Sequence, residues 1–183
     1  IDCVETFFIH WPYRDNNNFG KSFYQSNNTE NEICSSLEET YSNLLEMANE
    51  GLCKSVGISN ESSIGLHCLK NISENFKKIS LYIQNSYNLL NTTVDINISE
   101  FCLATNIKKN LLPKNSRRFL YPNYFDRYHN ERSSMLIESL LRICDSFELN
   151  LPELSYRYLL NNQSVSEIII GGKNIFQIKE AIS

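Results

Sequence analysis

The chain has 183 residues, of which 42% are hydrophobic, and a formal net charge of −4 at pH 7. This length predicts a single domain with one hydrophobic core. The negative charge, together with basic runs no longer than two residues, argues against a nucleic-acid-binding protein. Because no apolar segment approaches the roughly 20 residues that span a bilayer, we expect no membrane insertion.

The six cysteines are scattered along the chain without a Cys-x-x-Cys pair. This distribution is typical of small buried or half-buried thiols in a reducing compartment, and it favours neither disulfides nor a zinc site. We therefore expect a cytoplasmic protein with no bound metal.

The first predicted element is a short buried strand that ends at Pro12. Residues 7–9 form an apolar run too short for a helix, and Pro12 disfavours helical angles at Trp11. His10 therefore lies at the carboxyl end of a strand, where parallel α/β folds collect ligands and catalytic groups. The alternative is a hydrogen-bonded core histidine.

A polar loop over residues 13–35 follows, long enough to be a lid, a binding element or a disordered segment. A capping box at Ser36 and Glu39 predicts the start of a helix, and Gly51 predicts its end. Strands and helices then alternate at residues 54–60, 61–69, 79–83 and 94–103. Such alternation is typical of a parallel sheet covered by helices.

The alternation is interrupted after Asn106, where a strand is due. Residues 107–132 form a polar and aromatic segment instead, so the pattern predicts no strand there. Regular elements return as helices over 135–147 and 153–161, a buried strand over 165–170, and a helix over 175–182.

Polar or small residues follow the predicted strands. Besides His10, they are Ser59, Asn60, Gln84, Asn85, Gly171, Gly172 and Lys173. The carboxyl ends of parallel strands lie on one face of the sheet, so these residues are expected to converge. The carboxamides of Asn60 and Gln84 suit an amide-bearing ligand. The glycines and Lys173, which precede a helix, suit a phosphate, although each pair alone is an ordinary turn sequence.

Six segments resemble, in order, motifs of the aldo-keto reductase superfamily. They are Ile9–Pro12, Ser36–Thr40, Val56–Asn60, Ile83–Asn85, Leu154–Leu160 and Ile168–Ile182. The resemblance covers nearly the whole chain. Residues 14–24 and 83–91 are most similar to the Tas-type branch, which is related to potassium-channel β subunits.

This resemblance implies a TIM-type (β/α)8 barrel, represented here by about strands four to six and eight. It also implies NADPH as the cofactor and hydride transfer to a small aldehyde or ketone. The family's first three strands, which supply a catalytic Asp, Tyr and Lys, have no counterpart in the sequence. We therefore expect residues 1–183 to be the C-terminal portion of one barrel domain, with a missing segment between residues 106 and 107.

The resemblance also implies roles for individual residues. His10 would orient the substrate carbonyl and Trp11 would line the substrate pocket. Asn60 and Gln84 would hold the nicotinamide carboxamide, with Ser59 beside them.

At the other end of the cofactor, Gly171, Gly172 and Lys173 would lie along the adenosine phosphate, with Lys173 near the 2′-phosphate. Gln177 and Glu180 would face the adenosine. Gly172 and Ala181 depart from the family pattern, and both departures weaken the basis for preferring NADPH to NADH. Two other interpretations stay open: a non-catalytic NADPH-binding regulatory subunit, and an inactive fragment.

Overall fold

The structure, a computed structural model, describes residues 3–16, 27–76, 79–111, 128, 130–172 and 174–182. Its strands are β1 (Val4–Ile9), β2 (Cys53–Ser59), β3 (Ser80–Asn85), β4 (Lys108–Leu111) and β5 (Val165–Ile168). Its helices are α1 (Glu30–Asn49), α2 (Ser63–Ser73), α3 (Thr93–Asn97), α4 (Ser99–Thr105), α5 (Glu131–Ser146), α6 (Leu151–Leu160) and α7 (Ile175–Ile182).

The five strands form one parallel sheet in chain order, from β1 at one edge to β5 at the other. This confirms the predicted α/β class. Within the described residues the sheet is open, because β1 and β5 do not pair with each other. An open sheet of consecutive parallel strands is the arrangement expected for part of a (β/α)8 barrel.

The two faces of the sheet differ in chemistry because successive side chains of a strand point to opposite sides. One row across the sheet consists of Ile9, Ile58, Ile83 and Lys109. The three isoleucines of this row pack with Leu37, Leu45 and Leu66 of the helices in the core. The next row consists of Phe8, Gly57, Tyr82 and Lys108, and it lies on the other face.

The prediction of no strand after Asn106 was wrong. β4 begins two residues later and pairs in parallel with β3, with Lys108 opposite Tyr82. Ile107 and Lys109 are buried while Lys108 is exposed, so the segment alternates as a strand should. Two adjacent lysines concealed this pattern in the sequence. The expected missing segment between residues 106 and 107 stays a prediction.

The predicted start of the first helix was also wrong. α1 begins at Glu30, and its capping box consists of Thr29 and Glu32. The Thr29 hydroxyl accepts from the Glu32 amide at 3.3 Å, and the Glu32 carboxylate accepts from the Thr29 amide at 2.7 Å. Ser36 lies inside the helix. The predicted loop therefore ends six residues earlier, and its residues 17–26 lie outside the described part of the chain.

Neither edge strand is fully buried, contrary to the sequence prediction. Val4 and Phe7 of β1 are 39% and 41% exposed, and all four residues of β5 are half-buried or exposed. An apolar run of this kind predicts a strand but does not determine whether a second strand covers its outer side. Within the described residues, no helix combines the length and apolar character needed to cross a bilayer.

Candidate active site

Four of the predicted site residues meet at the carboxyl ends of three neighbouring strands. His10 follows β1, Ser59 ends β2 and is followed by Asn60, and Gln84 lies near the end of β3. Ser59 and Gln84 are register partners, and the Ser59 hydroxyl donates to the Gln84 carbonyl at 2.8 Å. The strand-end convergence inferred from the alternating pattern is therefore present in the structure.

Asn60 is held in an unusual backbone conformation at the centre of this group. Its φ of 56° lies in the left-handed region, which asparagine tolerates better than most residues. Its amide donates to the Gln84 carbonyl at 3.1 Å, and its side-chain Nδ2 donates to the His10 carbonyl at 2.9 Å. Asn60 therefore ties the end of β1 to the end of β3.

His10 and Trp11 present their rings to solvent. His10 is exposed, Trp11 is 47% exposed, and their ring centroids are 5.7 Å apart. The core-histidine alternative is therefore wrong. Gln84 is half-buried, and its carboxamide makes no hydrogen bond to any of the described residues. Both the imidazole and this carboxamide are accessible to a ligand.

A buried ion pair lies next to this group, and it was not among the residues predicted from the sequence. The Arg14 guanidinium donates to both carboxylate oxygens of Glu61, at 3.0 and 2.6 Å. Their side chains are only 5% and 1% exposed. The Tyr41 hydroxyl of α1 donates to the same carboxylate at 2.6 Å, and so does the Ser62 amide. We name Arg14, Tyr41 and Glu61 the Arg14–Glu61 node.

The node favours the charged guanidinium and the neutral phenol. Burial alone would lower the pKa of Arg14, but the hydrogen bond and the negative charge of Glu61 raise it. Burial, and then the Glu61 charge, raise the pKa of Tyr41. Tyr41 therefore donates to the carboxylate and does not compete with it for protons.

One signal in the sequence could have revealed the node. Arg14 and Glu61 carry opposite charges and each follows a predicted strand, β1 and β2, by a few residues. Neighbouring parallel strands bring such residues together. Tyr41 gave no signal, since its spacing fits the apolar stripe of α1.

The far edge of the site lies after β5. Gly171 is exposed, and a side chain at its Cβ position would meet no other atom within 4 Å. Gly172 packs against α7, where a side chain would overlap Ile178. Asn174 caps α7 by accepting from the Gln177 amide at 3.0 Å. Lys173 lies outside the described residues.

Gln177 and Glu180 lie on α7, one half-buried and the other exposed. The charge of Glu180, after the effect of burial, raises the pKa of Tyr156 on α6, so Glu180 lies near that helix. β5 is four strands away from β1, which at about 4.8 Å per strand corresponds to roughly 19 Å along the sheet. The predicted residues therefore fall into two groups along the carboxyl ends of the strands.

Tyr87, a tyrosine that follows β3, does not belong to this site. It is 1% exposed, and its hydroxyl donates to Asp95 at 2.5 Å. Burial and this hydrogen bond raise its pKa, so it is poorly suited to release a proton. In the described residues, no three His, Cys, Asp or Glu side chains are placed to bind a metal ion.

The chain is similar in sequence to several known proteins. Protein tas of Escherichia coli (strain K12) and that of Shigella flexneri are each 25% identical to the chain over 199 residues. An aldo-keto reductase of Babesia bovis is 24% identical over 209 residues. These matches cover 99% of the chain, but 57% of each Protein tas and 73% of the Babesia protein. The chain thus spans little more than half the length of Protein tas.

The family comparison covers the whole sequence. Residues 1–183 match the model of the Aldo/keto reductase family. The parallel sheet and the strand-end group around His10 and Asn60 are consistent with that match. The chain belongs to the aldo/keto reductase family.

Proposed function

We propose that the protein is an NADPH-dependent oxidoreductase that reduces a small aldehyde or ketone. The observation that carries the proposal is the joint placement of His10, Asn60 and Gln84 at adjacent strand ends, in a chain of the aldo/keto reductase family. The chain spans 57% of Protein tas, so the proposal concerns the full-length protein.

The residues at the carboxyl ends of β1, β2 and β3 fit the nicotinamide end of such a cofactor. A carboxamide ligand needs both donors and acceptors, and Gln84 offers both from a half-buried position. Asn60 uses its amino group on the His10 carbonyl at 2.9 Å, which leaves its side-chain oxygen as the acceptor. Ser59 contributes indirectly, since its hydroxyl fixes the Gln84 carbonyl.

NADPH, when bound, supplies the hydride. His10 donates a hydrogen bond to the substrate carbonyl oxygen and so orients it, which favours the charge that develops on that oxygen. Trp11 forms an apolar wall beside His10. The proton for the product alcohol would come from the Asp, Tyr and Lys set that the family carries on its first three strands.

The group after β5 would bind the adenosine end. Gly171 and Gly172 allow the backbone to approach a phosphate closely, and Lys173 would add a positive charge for the 2′-phosphate. Gln177 and Glu180 would face the adenosine. We also propose that the protein works in the reducing environment of the cytoplasm, where its six free thiols stay reduced.

Titration of the full-length protein with NADPH, followed by fluorescence, tests cofactor binding. The Gln84→Leu variant should weaken binding about fivefold, because one hydrogen bond contributes roughly 1 kcal/mol. Gln163→Leu, at the opposite end of the sheet beside the start of β5, is the matched control and should bind as the wild type does.

Consumption of NADPH with a panel of aldehydes and ketones then tests turnover. Turnover that depends on His10 would support the reductase proposal. Binding without turnover would instead support a regulatory subunit that carries the cofactor. Failure of the wild type to bind NADPH or NADH would refute the proposal.

A further inference from the structure

The Arg14–Glu61 node joins the segment that follows His10 to the segment that follows Asn60, and both residues belong to the proposed nicotinamide site. Glu61 immediately follows Asn60, and Arg14 lies four residues after His10. The node joins the segment after β1 to the start of α2 through three hydrogen bonds from the Arg14 guanidinium, two to Glu61 and one to the Ser62 hydroxyl at 3.2 Å. We therefore expect a displacement of the segment after β1 to be transmitted to the start of α2.

The backbone of Glu61 is fixed independently of its carboxylate. Its amide donates to Asn85 Oδ1 at 3.2 Å, and its carbonyl accepts from Asn85 Nδ2 at 3.0 Å. The Asn60 carbonyl accepts from Asn16 Nδ2 at 3.1 Å. Glu61 is thus anchored to Asn85 at the end of β3, and Arg14, together with Asn16, attaches residues 10–16 to this point.

We infer that Arg14 and Glu61 are positioning residues that hold the His10–Asn16 segment against Asn60, so that the imidazole and the carboxamide keep one mutual geometry. This inference rests on the proposed function, because it assigns the geometry to cofactor and substrate binding. The chemistry agrees with a positioning role. A buried ion pair adds little to stability compared with apolar side chains of the same size, but it has strict geometry.

The test is a neutral double substitution in the full-length protein, Arg14→Met with Glu61→Gln. It removes both charges together, so no unpaired charge stays buried. Lys54→Met with Glu5→Gln is the matched control, since that pair also joins β1 to β2 at 2.7 Å but its side chains are 67% and 77% exposed.

Two readouts separate positioning from simple support of the fold. Amide hydrogen exchange should become at least tenfold faster in residues 10–16 of the double variant, with residues 80–85 unchanged. The dissociation constant for NADPH should rise at least tenfold. Arg14→Lys, which keeps the charge but not the paired donors, should give an intermediate value of each. The control at Lys54 and Glu5 should match the wild type in both readouts.

The outcomes are distinct. Unchanged exchange in residues 10–16 of a folded double variant would overturn the inference, and so would faster exchange with an unchanged NADPH dissociation constant. If the double variant does not fold, the Arg14→Lys variant decides by the same two criteria. A wild-type protein that binds no nicotinamide cofactor would overturn the proposed function, and this inference with it.

Discussion

At the scale of single residues, two buried charged side chains give rise to testable effects on stability. Glu61 and Lys109 are almost completely inaccessible, yet their situations differ. Glu61 has a cation, a phenol and two donors from Ser62 within bonding distance. Lys109 has the Ser99 hydroxyl at 2.7 Å and the Tyr87 ring, whose centroid is 4.9 Å from its Nζ. Glu61 is therefore in direct contact with a cation, whereas the hydroxyl and the ring that contact Lys109 are neutral.

Gly65→Ala should destabilise the protein, although alanine normally favours a helix by about 1 kcal/mol over glycine. A methyl group at this position of α2 would overlap the Glu61 carboxylate, which Arg14 and Tyr41 hold in place. We expect a loss of about 1–3 kcal/mol in the free energy of unfolding, as for other overpacked cores. Urea denaturation measures it.

Gly171→Ala is the control for that substitution, since its added methyl group would meet no other atom. It should leave the free energy of unfolding within about 0.5 kcal/mol of the wild type. An equal or larger effect at Gly171 than at Gly65 would contradict the packing argument.

Lys109 makes the stability of the protein depend on pH. Burial lowers the pKa of its ammonium group in the folded chain. The unfolded chain therefore binds more protons below the ordinary lysine pKa of about 10.4, and the free energy of unfolding rises as the pH increases toward that value. Urea denaturation at pH 8, 9 and 10 should show this rise relative to Lys109→Met, because the window lies just below the ordinary lysine pKa.

The comparison with Lys109→Met is needed because Cys102 acts in the opposite direction. Burial raises the pKa of its thiol to about 11, so its contribution to stability falls as the pH rises above about 8.5. Because the charge of Lys109 lowers the pKa of this thiol, both proteins should also carry Cys102→Ala, so that the difference between them isolates the lysine. Parallel pH profiles for the two proteins would show that Lys109 titrates normally in the fold.

At the scale of elements, α1 illustrates how a capping motif competes with a similar one nearby. Ser36 with Glu39 and Thr29 with Glu32 both satisfy the capping-box spacing. The structure uses the second, and α1 thereby gains almost two extra turns. Leu37, Tyr41, Leu44 and Leu45 are buried as the spacing predicted, and Gly51 has the expected left-handed φ of 84°.

Substitution of the two capping candidates tests this assignment. Thr29→Ala should lower the free energy of unfolding by about 0.5–2 kcal/mol, since it removes the acceptor for the Glu32 amide. Ser36→Ala should be neutral or slightly stabilising, because alanine suits the interior of a helix. Thermal unfolding followed by circular dichroism compares them, and the reverse ranking would place the helix start at Ser36.

At the scale of the whole molecule, the described chain has a parallel sheet with two unpaired edges and much exposed apolar surface. Phe7 on β1 is 41% exposed, and Phe147 after α5 and Phe176 on α7 are 71% and 77% exposed. Exposed sheet edges with apolar side chains favour association between chains. Closure of a complete (β/α)8 barrel removes the two sheet edges.

Residues 1–183 expressed by themselves should therefore self-associate. Analytical ultracentrifugation should show an average mass that increases with protein concentration. Phe7→Lys places a charge on the exposed edge of β1 and should reduce this association. A monomer at every concentration would contradict the expectation, and Ile64→Lys, at an exposed position of α2 away from the edge, controls for added charge alone.

The sequence by itself determined the α/β class and four of the five strands, because alternating strands and amphipathic helices have different hydrophobic periods. It also placed His10, Ser59, Asn60 and Gln84 at strand ends, since a strand, a polar pair and a helix follow one another within a few residues. The roles of these side chains toward a cofactor stay predictions, and Lys173 lies outside the described residues.

Only the tertiary structure decided the rest. The strand Lys108–Leu111 depends on pairing with β3, which lets Lys109 be buried despite its charge. The partners of Glu61 lie 47 and 20 residues away along the chain, at Arg14 and Tyr41. Periodicity reports which side of an element is apolar, whereas a buried polar contact depends on which two elements become neighbours, and that is settled only when the sheet assembles.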